Sequence, residues 1–230
     1  MNFLSQSWQV LRLGLSNEVA DKERLISPIL FAIVFVLLLW FSFGELPQSM
    51  GTRIFVAQTF LAMFFALQII FVRIYDPEMQ DDAMALYSCV PLNSYSLFIG
   101  KWIQAVLTAS FVAVCTALIG ALMLADKELN LLNGSFFFVL FLVIIGLCGI
   151  GVLLAGLTAK AQAKQVLFPL LFFPLTTPVM IVGVQVCIFV LNGEKTLSEL
   201  MGSWLGLLIV FDLLYCTFSA LLFDEIMKPE

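Results

Sequence analysis

Six apolar runs, each long enough to cross a bilayer, limit what this chain can fold into more than any other feature. A helix needs roughly 20 apolar residues to traverse the hydrocarbon core. Runs of that kind fall at about 26–43, 53–75, 97–124, 135–158, 166–191 and 202–223. In lipid, the backbone of a spanning segment must satisfy its own N–H and C=O groups, so each run is predicted as a transmembrane α-helix. The connections Gly44–Thr52, Ala125–Gly134, Ala159–Gln165 and Asn192–Met201 are short. The exception is the polar segment 76–96 between the second and third runs. The whole chain, 1–230, reads as one transmembrane domain of the all-α polytopic class.

Composition agrees with the pattern. The chain is 62% hydrophobic and 12% charged, with 23 phenylalanines and a mean hydropathy of +1.06. A soluble domain is about half apolar and roughly a quarter charged. The formal charge of −5 is dispersed over loops and gives no reason to expect nucleic-acid binding. The start of the chain lacks the short apolar core and cleavage site of a signal peptide, and is expected to stay with the protein.

The Lys and Arg residues set the expected orientation. With the N-terminus in the cytoplasm, the inner segments hold Arg12, Lys22, Arg24, Arg73, Lys101, Lys160, Lys164 and Lys228, against Arg53, Lys127 and Lys195 outside. Both termini and the polar insert are therefore predicted cytoplasmic. The outer loops are too small for a receptor or catalytic domain. Ahead of the first span, Leu4, Trp8, Leu11, Leu15 and Val19 recur at helical spacing, with Gln9, Arg12, Ser16 and Asn17 turned away. This pattern reads as an amphipathic helix lying in the inner interface, with a short extramembrane helix packed on the bundle as the alternative.

Signals for chemistry are few. The Gly100-Lys101 pair lacks the earlier glycine of a phosphate-binding loop and is followed by Trp102, so this chain is not expected to hydrolyse ATP. Adjacent Asp81 and Asp82 lack the further acid that a Mg-diphosphate motif requires, because position 85 is alanine. Histidine is absent, and none of the five cysteines forms a C-x-x-C pair. Bound zinc or haem is therefore not expected on this chain. The catalytic and metal residues are predicted as none.

Within the spans, Asp212 lies near the middle of the sixth run, where a carboxylate is costly and should face the bundle or a wet cavity. Gln58, Gln68 and Gln185 are its possible partners. Either a path or switch residue or an interhelical hydrogen bond fits. The fourth run carries Gly146, Gly149, Gly151 and Gly156, which predicts close helix packing. The fifth carries Pro169, Pro174 and Pro178, each without a backbone donor. Distortion at Pro174 and Pro178 suits a translocation path or a fitted bundle alike.

The insert itself reads as a pair of helices joined by a turn. Asp76 is a good N-cap, Pro77 suits the first helical position, and Glu78 complements the helix dipole. Met79, Ala83, Leu86 and Val90 form one apolar face, and Pro91 ends it. Asn93 or Ser94 then caps a helix running through Lys101 into the third span. Such a helix, held at the surface by two spans, suits docking of a partner.

The order of acids, Leu86, Pro91 and Gly100-Lys101 resembles the ABC-2 type exporter permeases. LTAKAQAKQVLFPLLFFPLTTPVMI (157–181), with Phe173-Pro174 and Pro178-Val179 at its core, and SPILFAIVFVLLLWFSFG (27–44) resemble the CcmB family more specifically. That family comprises permease subunits of the haem-export ABC complex in c-type cytochrome maturation. The resemblance implies six spans and a cytoplasmic coupling helix between spans 2 and 3, beside the N-terminal interfacial helix read from its spacing. It implies a homodimer in the bacterial inner membrane, with a separate CcmA-like ATPase subunit and haem-handling CcmC- and CcmD-like subunits. ATP would bind the partner, and haem would be cargo rather than a cofactor of this chain. On this reading Asp76, Glu78, Asp81, Asp82, Leu86, Pro91 and Lys101 serve ATPase coupling. An ABC-2 exporter of lipid, polysaccharide or drug, or a non-transporting assembly scaffold, fits the same pattern.

Overall fold

A computed structural model describes residues 3–43, 48–80, 94–124 and 133–227. The described residues are helical, and six helices are long and apolar enough to cross a membrane. Helix α1 covers Phe3–Ala20 and α2, the first span, Lys22–Phe43. The second span, α3, covers Gln48–Arg73 and is followed after a tight turn by the short α4, Asp76–Gln80. The remaining spans are α5 (Ser94–Met123), α6 (Gly134–Thr158), α7 (Lys164–Leu191) and α9 (Trp204–Met227), with a single-turn α8 (Leu197–Leu200) before the last. The six spans lie where the apolar runs predict, with ends shifted by a few residues. The first span starts four residues early, at Lys22, and the second five residues early, at Gln48, where polar residues extend the helices.

Local chemistry sets the helix ends. Asn133 caps α6 through its side chain, accepting from the Ser135 N–H at 3.2 Å. Thr196 and Glu199 form a reciprocal capping box on α8, which the run of hydropathy does not reveal. Helix α7 stops at Asn192 because Gly193 takes a left-handed φ of 70°. The N–H groups of Gly193 and Glu194 turn back to Val190 O (3.3 Å) and Phe189 O (3.1 Å), satisfying carbonyls that the helix end would orphan.

The second and fourth spans, α3 and α6, form the centre, with 67% and 72% of their most apolar windows buried by protein. The first and sixth, α2 and α9, are peripheral at 17% and 22%. Helix α2 packs on α3 and α5, while α9 packs on α6, α7 and α5. The outward faces are apolar too: Leu38, Phe41, Leu122, Leu170 and Leu213 are exposed. A continuous apolar exterior of this kind is satisfied by lipid chains, not by water.

Close helix contact is built on glycine, as the fourth run predicts. On α6, Gly146, Gly149 and Gly156 face Asp212, Cys216 and Phe223 of α9, so the two helices run parallel along one small-residue seam. Gly151 points to a different neighbour, the ring of Phe71 on α3. Around the fifth span, phenylalanines fill the space between helices. Phe168 and Phe172 stack at 5.1 Å, Phe172 meets Phe64 at 5.5 Å, and Phe71 bridges to both Phe168 and Phe172.

Helix α7 is continuous through Pro169, Pro174 and Pro178. Thr176 and Thr177 donate to Phe172 O and Phe173 O, both at 2.7 Å, and the Tyr215 hydroxyl reaches Leu175 O from α9. These hydroxyls add bonds in the stretch where the prolines remove them. The ring of Pro174 is exposed on the outer face of the bundle and Pro178 is half-buried.

Candidate functional site

The site forms at the end of the bundle where the polar insert leaves α3. Helix α3 ends at Arg73 because Ile74 and Tyr75 turn the chain and Asp76-Pro77 starts α4. The sequence signals for that start, an acid followed by proline, place Glu78 one turn past the end of the span. Lys101, two turns into α5, lies opposite. Its ammonium group is 2.5 Å from the Glu78 carboxylate and donates to Ile74 O at 3.0 Å. It also stands over the Tyr75 ring, 5.4 Å from the centroid.

Lys101 is only 1% exposed, and Tyr75 and Glu78 are nearly as enclosed. A lone buried ammonium would be very costly. Three things offset that cost: an opposite charge, a helix-end carbonyl carrying partial negative charge, and an aromatic face. Lys101 thus caps the second span from the third while holding the first turn of the insert. Asp76, at the head of α4, forms a second ion pair with Lys164 at the head of α7. That pair is about a quarter exposed on each side, so its strength is moderated by solvent. Together the two pairs tie the five residues of α4 to the third and fifth spans.

Helix α1 closes the neighbouring side. Phe3, Ser7, Val10, Gly14 and Glu18 follow one face, and they meet Ser96, Gly100, Gln104 and Thr108 of α5 in the same order. The helices therefore run side by side in parallel. Val10 sits on Gly100 and Gln104 sits on Gly14, so each backbone gives way to the other's side chain. Glu18 is 7% exposed and accepts from Gln104 Nε2 at 2.7 Å and Thr108 Oγ1 at 2.6 Å. Of the predicted apolar stripe, Leu4, Trp8 and Val19 face outward and Leu11 is buried. The protein-facing side is instead the small and polar one.

Of the residues expected to serve a partner, the fold brings Asp76, Glu78 and Lys101 together. Lys101 is buried beneath the insert rather than presented on it. Asp81, Asp82, Leu86 and Pro91 lie outside the described residues, as do Ala83 and Val90 of the predicted apolar face. Asp212 is 6% exposed, and neither carboxylate oxygen has a hydrogen-bond partner among the described residues. The expectation of Gln58, Gln68 or Gln185 as its partner is thus corrected. Asp212 points to α6, where Gly146 leaves room for it, and Gln58 faces Gly120 on α5 instead. Pro174 and Pro178 lie on α7, which the Tyr215 hydroxyl joins to α9 at Leu175 O.

Sequence reasoning missed Glu18 and the pairing role of Lys164. Lys164 counted only toward orientation. Glu18 carried one signal: it falls on the same helical face as Val10 and Gly14, a face with too few large apolar groups to be read as buried.

Six apolar spans with lipid-suited exteriors and a buried ion-pair anchor at one end define a multi-pass helical membrane protein. The pattern of the CcmB protein family matches residues 5–222, nearly the full chain, and the protein belongs to that family. It is accordingly a membrane permease component of haem export in cytochrome c maturation. No curated protein matches the chain.

Proposed function

We propose that this chain is the membrane subunit of an ABC complex that exports haem, or releases a haem chaperone, for c-type cytochrome maturation. A CcmA-like ATPase docks on the insert 76–96, CcmC- and CcmD-like subunits handle haem, and two copies of the chain form the permease. ATP stays on the partner subunit, and haem is cargo rather than a group bound by this chain. The chain lies in the bacterial inner membrane with both termini and the insert cytoplasmic.

The observation that carries the coupling role is the double anchor of α4. A push on the insert reaches α5 through Glu78 and Lys101, and α7 through Asp76 and Lys164. Two spans then move with one surface element, as a lever requires. Asp81, Asp82, Leu86 and Pro91 supply the docking face in this reading. Asp212, Pro174 and Pro178 belong to the part of the membrane domain that rearranges.

Deleting the gene and assaying covalent haem on the host's periplasmic c-type cytochromes tests the reading. The expected result is loss of c-type haem, restored by the intact chain but not by a Leu86→Asp variant that still inserts and no longer stimulates the ATPase. Normal cytochromes in the deletion strain would reject the haem assignment, and unchanged ATPase coupling in the variant would remove the insert from the mechanism.

A further inference from the structure

Beside the ion-pair anchor, four helices meet around a small cleft. Glu18 of α1, Arg24 of α2, Ile70 and Arg73 of α3, and Gln104 and Thr108 of α5 line it, with Ile69 and Ile74. Two arginines and one acid share the space. The acid is already occupied, because Glu18 accepts from the neutral donors Gln104 and Thr108 rather than from either guanidinium. Arg24 uses its Nε on Asp21, at 2.9 Å, which leaves its two terminal nitrogens for other acceptors. Arg73 is exposed and has no carboxylate partner among the described residues.

The position of the cleft is as informative as its charge. Arg24 lies at the start of the first span and Arg73 at the end of the second, so both mark the level where hydrocarbon gives way to headgroups. The end of α1 beside the cleft turns Val19 outward at the same level. Ile69, half-buried, gives the cleft an apolar flank, while Ile70 and Ile74 line it but are covered by protein.

We infer that this cleft binds the phosphate of an anionic phospholipid, with Arg24 and Arg73 on the headgroup and Ile69 against the first methylenes of a chain. Guanidinium groups match phosphate oxygens in a two-pronged geometry, and basic pockets between spans at the membrane surface select anionic headgroups. The bound lipid wedges α1 and α2 against α3 and α5, next to the anchor of the insert. A free inorganic phosphate presents the same oxygens, and an acidic segment of a partner protein presents a similar charge. Neither uses the apolar flank.

Native mass spectrometry of the full chain in detergent, with phosphatidylglycerol, phosphatidylcholine or inorganic phosphate added separately, tests this. Wild type is expected to retain one phosphatidylglycerol in preference to phosphatidylcholine. Arg24→Gln combined with Arg73→Gln should weaken that retention about tenfold or more, since each basic residue at the surface contributes to anionic lipid binding. Lysine at both positions should give an intermediate loss, and Arg53→Gln at the opposite end no loss. Arg73→Gln alone, at an exposed position, serves as the variant whose folding is not in question. Equal retention of the two lipids, or unchanged retention in the Arg73→Gln and double variants, overturns the inference. Inorganic phosphate binding as tightly as the lipid reassigns the cleft to a free anion. Cross-linking of Arg73 to an acidic ATPase segment, with lipid retention unchanged, reassigns it to a protein contact.

Discussion

At the scale of single residues, Lys101 shows how a costly group becomes a specific one. Its charge is buried, but Glu78, Ile74 O and the Tyr75 ring surround it. Removing only one side of a buried pair leaves an uncompensated charge, whereas removing both sides does not. Lys101→Met is therefore expected to lower the thermal midpoint in detergent by roughly 5–10 °C, following from about 3 kcal/mol for a broken buried pair. Adding Glu78→Leu should recover more than half of the loss. Fluorescence-detected unfolding of the two single variants and the double variant measures the coupling, and strictly additive losses would show that the pair does not act as a unit.

At the scale of elements, the seam between α6 and α9 turns on where a side chain can and cannot be added. A Cβ at Gly146 would fall inside the carboxylate of Asp212, while one at Gly156 would lie 3.3 Å from the Phe223 ring. Gly146→Val is expected to cost about 1–3 kcal/mol through overpacking, and pairing it with Asp212→Ala should relieve most of that cost. Gly156→Ala should stay within about 1 kcal/mol of wild type, because gained helix propensity offsets a tight contact. The yield of monodisperse protein and its thermal midpoint would rank the variants. If Gly146→Val proved as mild as Gly156→Ala, the seam would be looser than the structure shows. The glycines were legible as a packing surface from their density in one apolar run. Their partners were not, because a small residue carries no information about which neighbour approaches it.

At the scale of the whole molecule, the two ion pairs make a short helix the meeting point of distant spans. Asp76 and Lys164 are separated by 88 positions, and no local pattern links them. Their pair is partly solvated, so its loss should cost little stability. Its contribution to coupling should be larger. Lys164→Met is expected to leave the folded yield and thermal midpoint near wild type while reducing ATPase stimulation and covalent haem on c-type cytochromes several-fold. Equal activity of variant and wild type would mean that the push from the insert bypasses the fifth span.

The sequence by itself determined the class of the fold. Hydrocarbon tolerates only segments that satisfy their own backbone, so six apolar runs of sufficient length become six helices wherever they pack. It also determined where the insert begins, because the Asp76-Pro77 start is local chemistry. The tertiary structure decided everything that depends on which helices become neighbours: Lys101 beneath Glu78, Lys164 on Asp76, Glu18 between Gln104 and Thr108, and Asp212 against Gly146 without any of the expected glutamines. Lipid solvates an apolar face as well as another helix does, so apolar patterning alone cannot choose among partners. The choice falls to small residues and a few polar groups, whose partners emerge only when the bundle closes.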